Sequence, residues 1–165
     1  MAVDQAKCNT CWAEFVQSLS PRDPRRAAKP DAFGFGGEGK LADELAALVL
    51  AGRKRATASL PIEYTSLNEP LPKAGDLSII LDGSGNPVAI VERTSVETIP
   101  FRGVGEDFAA CEGEGDGSLA YWREAHSWYF TTVCARLGGT FDETTPVLCQ
   151  RFRLVWPLHL ADASA

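Results

Sequence analysis

Three consecutive cations, Arg53, Lys54 and Arg55, follow Gly52 and precede the alternating run Ala56-Thr57-Ala58-Ser59-Leu60. A lysine becomes a base or a nucleophile when burial or a second cation lowers its pKa. The turn can therefore present an ammonium, with the hydroxyls of Thr57 and Ser59, to an anionic or carbonyl-bearing ligand. A plainer account competes with this one. A helix that ends at Gly52 favours cations at its C-terminus by roughly 0.3–1 kcal/mol each. Proton transfer at such a site needs a carboxylate as well. The candidates are Glu112 and Glu114 in an acidic loop, and Glu92 in the strand-like run Val88-Ala89-Ile90-Val91-Glu92. His126 falls on the apolar stripe of a helix, where a hydrogen-bonded packing role competes with a catalytic one. Tyr121, Trp122 and Arg123 precede it and offer flat surfaces and a guanidinium, groups that stack a base for roughly 1–3 kcal/mol each. For Trp122, ordinary helix packing is the competing role.

Other chemistries lack their parts. Gly83-Ser84-Gly85 is a hairpin tip and not a nucleophile elbow. The glycines at 34, 36, 37 and 39 have no strand before them, and Lys40 is followed by Leu41 where a phosphate-binding loop needs Ser or Thr. Cys8 and Cys11 form a lone CxxC without a second pair, and the histidines are two, His126 and His159. No catalytic metal set stands out, so no cofactor is assigned, although a divalent metal fits the hydrolytic readings below.

The elements that must position these groups are legible in outline. Ala6 to Leu19 has helical spacing, with Trp12, Phe15 and Leu19 on one side. Ser20 to Lys40 is rich in proline, glycine and arginine and reads as a long surface loop, held down by Phe33 and Phe35. Leu41, Leu45, Leu48 and Val49 make a helical stripe before Gly52, a left-handed C-cap. A loop is expected from Pro61 to Gly75, then a hairpin of strands Leu77–Leu81 and Val88–Val96. Pro100 to Gly117 reads as irregular, with a short helix at Glu106–Cys111. Ser118 caps a helix to about Leu137 whose stripe is Leu119, Trp122, His126, Tyr129 and Val133. Pro146 to Trp156 closes the chain as a strand, with a bulge expected between Cys149 and Phe152. The final residues, LHLADASA, read as a frayed tail.

Composition bounds the answer. The chain has 165 residues, 45% of them apolar, which suits one domain with a real core. The formal net charge is −6, which argues against a sequence-independent nucleic-acid coat. No apolar run reaches the roughly 20 residues of a membrane span. The first residues lack a basic stretch followed by an apolar one, so no signal peptide is expected. Five cysteines, an odd number among apolar neighbours, suit a reducing cytoplasm. The order of elements has too few helix–strand alternations for a doubly wound sheet. An α+β fold is expected instead: a small, mostly antiparallel β-barrel flanked by helices.

Several of these stretches together resemble one family. They are Gly52-Arg53-Lys54 with Ala56-Thr57-Ala58-Ser59-Leu60, Pro72-Lys73-Ala74-Gly75-Asp76, Glu112-Gly113-Glu114-Gly115-Asp116 with Ser118-Leu119, Trp122-Arg123 with His126, and Arg151-Phe152-Arg153. The pattern is similar to that of the ASCH domain, a PUA-like fold, in its larger bacterial branch. The family pattern places an arginine five residues after the lysine, and this chain has Ser59 there. The resemblance implies a PUA-like barrel with a cleft beside the Lys54 turn, spanning residues 33–157 after an N-terminal helix and loop at 1–32 and before a tail at 158–165. It implies RNA or a modified nucleoside or nucleotide as partner. It further implies a ribonuclease acting on single-stranded RNA in a local positive cleft, or alternatively an amidohydrolase of a modified nucleoside such as N4-acetylcytidine, with Lys54, Thr57 and Glu112 catalytic and Glu114 the near alternative to Glu112. Arg53, Arg55, Ser59, Glu92, Glu114, Tyr121, Trp122, Arg123 and His126 are then the binding set. A module that binds RNA or a nucleotide and cleaves nothing is the third reading.

Overall fold

The structure, a computed structural model, describes residues 3–163. The last two residues of the expected tail lie outside them. Among the described residues there are five α-helices and five strands. The helices are α1 (Gln5–Ser18), α2 (Lys40–Leu50), α3 (Pro61–Thr65), α4 (Glu106–Glu112) and α5 (Leu119–Arg136). The strands are β1 (Asp31–Phe33), β2 (Ala56–Ser59), β3 (Leu77–Leu81), β4 (Pro87–Pro100) and β5 (Pro146–Trp156). They form one mixed sheet in the order β1-β3-β4-β5-β2. β1 runs parallel to β3, while β3/β4 and β2/β5 are antiparallel. The fold is α+β, as expected.

The chain divides into two compact units, and β4 and β5 each pass from one to the other. The first holds residues 1–52, 75–93 and 152–165. Its β3 strand is buried along its whole length, so its residues Leu77 to Leu81 face two clusters. Leu77, Ile79 and Leu81 pack with Cys8, Cys11 and Phe15 of α1, and Ile80 packs with Leu45, Ala46 and Val49 of α2. The apolar stripe of α2 therefore runs through Ala42, Leu45, Ala46 and Val49, and Leu41 is left half exposed. The expected loop from Ser20 to Lys40 contains a 3-10 turn at Pro24–Ala27 and the strand β1. The proline and glycine content limits these to a few residues each. Phe35 does hold the loop down, stacked on Phe152 at 5.7 Å.

The second unit holds residues 53–74 and 94–151 and contains the Lys54 turn. Ala56 and Leu60 are buried in its core with Phe101, Phe108, Trp122, Phe130, Val133 and Cys149, and Ala58 packs against them. Thr57 and Ser59 point to the opposite face of β2, as period-two alternation requires. The register of β2 against β5 pairs Thr57 with Gln150 and Ser59 with Leu148, unbroken from Leu148 to Arg151. Gln150 and Leu148 are buried on that same face, so both faces of β5 are covered. Burial on both faces is what interrupts the apolar alternation there.

Two expectations about helices need correction. The segment after Leu60 is not all loop: Pro61 starts α3, and Glu63 accepts a hydrogen bond from the Leu60 amide at 2.7 Å. On α5 the buried positions are Trp122, Phe130, Val133 and Cys134, whereas Tyr129 is 41% exposed. Phe130 takes the core position because the stripe drifts around the helix at 3.6 residues per turn.

Candidate active site

Three pieces of the second unit meet at Lys54. The amide of Arg55 donates to the carbonyl of Cys111 at 2.8 Å, which ties the cationic turn to α4. α4 ends at Gly113 in the left-handed region, φ 65°. A Cβ at Gly113 would lie 2.2 Å from the Arg53 carbonyl oxygen, so only glycine lets the helix end approach the turn this closely. That approach delivers Glu112 and Glu114 to the lysine.

Lys54 is fully buried. Its Nζ lies 2.5 Å from Glu114 Oε1 and 3.5 Å from Glu112 Oε1. Glu112, with 1% of its side chain exposed, is held on its other oxygen. There Trp122 Nε1 donates to Oε2, and His126 Nε2 stands 3.2 Å away. The His126 ring stacks on Trp122 at 4.2 Å, and its Nδ1 lies 2.9 Å from the Trp122 carbonyl. A carbonyl accepts only, so Nδ1 carries a proton in that bond. Nε2 is then the ring nitrogen that faces Glu112 Oε2. Trp122 and His126 are four residues apart on α5, which puts both on one face of the helix. The set is a continuous row of titratable groups, His126–Glu112–Lys54, with a second carboxylate on the ammonium.

A second polar group lies on the face of β2 opposite Ala56 and Ala58. Gln150 Nε2 donates to Ser59 Oγ at 2.8 Å, and Ser59 Oγ is 3.1 Å from Tyr64 OH. Tyr64 and Gln150 were not anticipated from the sequence. A signal for Gln150 was present: it is a polar residue inside the apolar run Val147-Leu148-Cys149-Gln150. Thr57 sits opposite Gln150 in the register.

The remaining expected residues are placed as follows. Arg53 is exposed, and Arg55 lays its guanidinium on the Lys54 carbonyl at 2.9 Å. Tyr121 is exposed beside Gly115, where a Cβ would lie 2.5 Å from its ring. Arg123 donates to the Arg102 carbonyl at 3.1 Å. Glu92 belongs to the first unit, where Arg25 and Arg153 pair with it at 3.4 and 2.9 Å. Among the described residues, no group of three or more His, Cys, Asp or Glu is placed to hold a metal ion. No helix among them is long and apolar enough to cross a membrane.

The sheet order, the glycine-ended helix against the cationic turn, and the buried lysine define a PUA-like α+β protein. The family model that matches residues 31–156 is that of the ASCH domain. The chain belongs to the ASCH domain family. It is similar to the solved ASCH domain of Lactobacillus crispatus JV V101, with 34% identity and a TM-score of 0.85 over 94% of this chain and 97% of that one. It is also similar to a solved protein of Enterococcus faecalis V583, with 34% identity and a TM-score of 0.79 over 92% of this chain and 91% of that one. No curated protein matches the chain.

Proposed function

We propose that the chain is a hydrolase centred on Lys54, and that its substrate is a small, uncharged amide of the N4-acetylcytidine kind. One observation carries this reading: a wholly buried ammonium that meets two carboxylates, one of them backed by a histidine. The ammonium is already met by two carboxylates, so it has less charge to offer a phosphodiester than an open basic cleft would, whereas a neutral amide needs none. The same groups divide the work of amide hydrolysis among them. Water attacks the acyl carbon and passes its proton to Glu112, while the Lys54 ammonium stabilises the oxygen that becomes negative. The C–N bond then breaks as Glu112 returns the proton to the leaving nitrogen, giving a carboxylic acid and an amine. His126, whose Nε2 faces the same carboxylate at 3.2 Å, positions Glu112 for these transfers. Thr57 lies on the face of β2 and β5 that carries Ser59 and Gln150 and takes no step in this scheme.

Cleavage of single-stranded RNA is favoured by a different observation. Tyr121 and Trp128 on α5 are 42% and 72% exposed, flat surfaces on which bases stack. One experiment separates the readings. The purified protein is incubated with N4-acetylcytidine and, separately, with labelled RNA, with and without chelator. Release of cytidine, lowered about 100-fold or more by Lys54→Ala, is the expected result. RNA fragments without cytidine favour the second reading. Cytidine release undiminished in Lys54→Ala rejects the site.

A further inference from the structure

Trp122 reaches both partners of the Glu112–His126 contact, and by three different groups. Its indole N–H donates to Glu112 Oε2. Its ring stacks on that of His126 at 4.2 Å, and its carbonyl lies 2.9 Å from His126 Nδ1. The indole is itself clamped. Phe101 stacks on it at 5.4 Å, Phe108 meets it edge-on at 6.2 Å, and both are buried. With 2% of Trp122 exposed, no face of its ring is open to a ligand. Most side-chain hydrogen bonds go to backbone or water. Here the acceptor is instead a buried carboxylate that also faces Lys54.

We infer that Trp122 is a positioning residue of the site: it sets which oxygen of Glu112 meets Lys54. The last torsion of a glutamate is broad and two-fold, so an unheld carboxylate presents either oxygen. Here Oε2 is committed to the indole N–H, on the side that His126 Nε2 faces at 3.2 Å. Oε1 is left as the oxygen 3.5 Å from the ammonium. An indole N–H is a donor only, so this contact selects an acceptor oxygen whatever the state of the imidazole. A hydrogen bond to a carboxylate is charge-assisted and among the stronger ones. The catalytic part of this inference rests on the hydrolase reading: there, Oε1 takes the proton from water and returns it to the leaving nitrogen. Phenylalanine at 122 keeps an aromatic ring against Phe101 and His126 but leaves Oε2 unselected.

The test uses Trp122→Phe in the full chain and, should that variant not fold, benzothienylalanine at position 122, an isostere with sulfur in place of the N–H. Either change is expected to lower kcat on N4-acetylcytidine by about 100-fold, the cost of a misdirected group, with KM within about twofold of the wild type. Val133→Ala, in the same buried cluster but about three turns further along α5, keeps the wild-type kcat. The second readout is the nitrogen-15 spectrum, in which the wild type gives four indole cross-peaks, one for each tryptophan. The Trp122 peak, identified by its loss on substitution, lies downfield of the others and moves upfield in Glu112→Gln. A tryptophan that merely fills space would not follow that change. Should Glu112→Gln not fold, Glu112→Asp, which draws the carboxylate back by one methylene, moves the same peak. An unchanged kcat, a rise in KM without a fall in kcat, or a Trp122 peak indifferent to Glu112 overturns the inference. If the wild type leaves N4-acetylcytidine intact, the hydrolase reading fails, and the cross-peak alone decides whether Trp122 holds Glu112.

Discussion

At the scale of single residues, the consequential fact is that Lys54 and Glu112 are buried together. Breaking such a pair from one side leaves an uncompensated charge in a poor solvent for it, at about 3–5 kcal/mol, whereas removing both charges costs far less. Lys54→Met is therefore expected to lower stability by about 3–5 kcal/mol in urea denaturation. The double change Lys54→Met with Glu112→Gln is expected to lower it by less than the sum of the single changes, a coupling on the order of 1–3 kcal/mol. Strict additivity would mean that the two groups do not sense one another. His126 belongs to the same unit, because its Nε2 faces Glu112 and its Nδ1 is committed to the Trp122 carbonyl. The importance of Lys54 was legible in its neighbours in sequence. Its burial was not, because flanking arginines ordinarily mark a solvated turn. Glu92 shows the converse. It lies in an apolar run, as the sequence said, but its charge is met by Arg25 and Arg153, residues 67 and 61 positions away.

At the scale of elements, the site depends on how closely the end of α4 approaches the turn at Arg53. Gly113 and Gly117 have nearly the same left-handed φ, 65° and 76°. An added Cβ at Gly117 meets nothing within 4 Å, while at Gly113 it meets the Arg53 carbonyl at 2.2 Å. Gly117→Ala thus carries only the conformational cost, roughly 1–2 kcal/mol. Gly113→Ala carries that cost plus overpacking of roughly 1–3 kcal/mol, and it also displaces Glu112 and Glu114 from Lys54. Thermal midpoints of the two variants, read beside that of the wild type, check the order, and equal losses would show that the close approach does not matter. α5 is held at its start by Ser118, whose Oγ accepts from the Tyr121 amide at 3.1 Å. Ser118→Ala is expected to cost about 1 kcal/mol by the same measurement. The cap, the hairpin and the closing strand were readable because each rests on local chemistry. The parallel β1 was not, since three residues in a glycine- and proline-rich stretch carry no periodicity, and their pairing with Ser78–Ile80 is a long-range choice. α3 was missed for a different reason. Its signals, Pro61 at the first turn and Glu63 two residues on, were present without a Ser, Thr, Asp or Asn before them.

At the scale of the whole molecule, the five cysteines give the chain a stability that depends on pH in a predictable direction. All five are free thiols, and among them only Cys111 is not buried. Burial pushes Cys11 up to about 11 and Cys149 up to about 12, and nearby carboxylates, Glu14 for the first and Glu112 for the second, push the same way. Cys8 and Cys134 are raised as well, mainly by burial. In the unfolded chain a thiol ionises near pH 8.5. Below that pH both states hold their protons and the thiols contribute no pH dependence. Above it the unfolded chain loses thiol protons that the native protein keeps, so unfolding releases protons and stability falls as pH rises. The decline continues until the native thiols themselves ionise, at about 11 for Cys11 and about 12 for Cys149. The urea midpoint of the wild type should therefore hold level from pH 7 to about 8.5 and then fall toward pH 10.5. Replacing Cys11 and Cys149 together by alanine lowers the midpoint at pH 7 but flattens that fall. An unchanged slope in the double variant would mean that other groups set the alkaline limit. The same burial orders the chemistry of the thiols: with a disulfide reagent at pH 8, Cys111 reacts first, and the other four react only at the rate at which the protein opens.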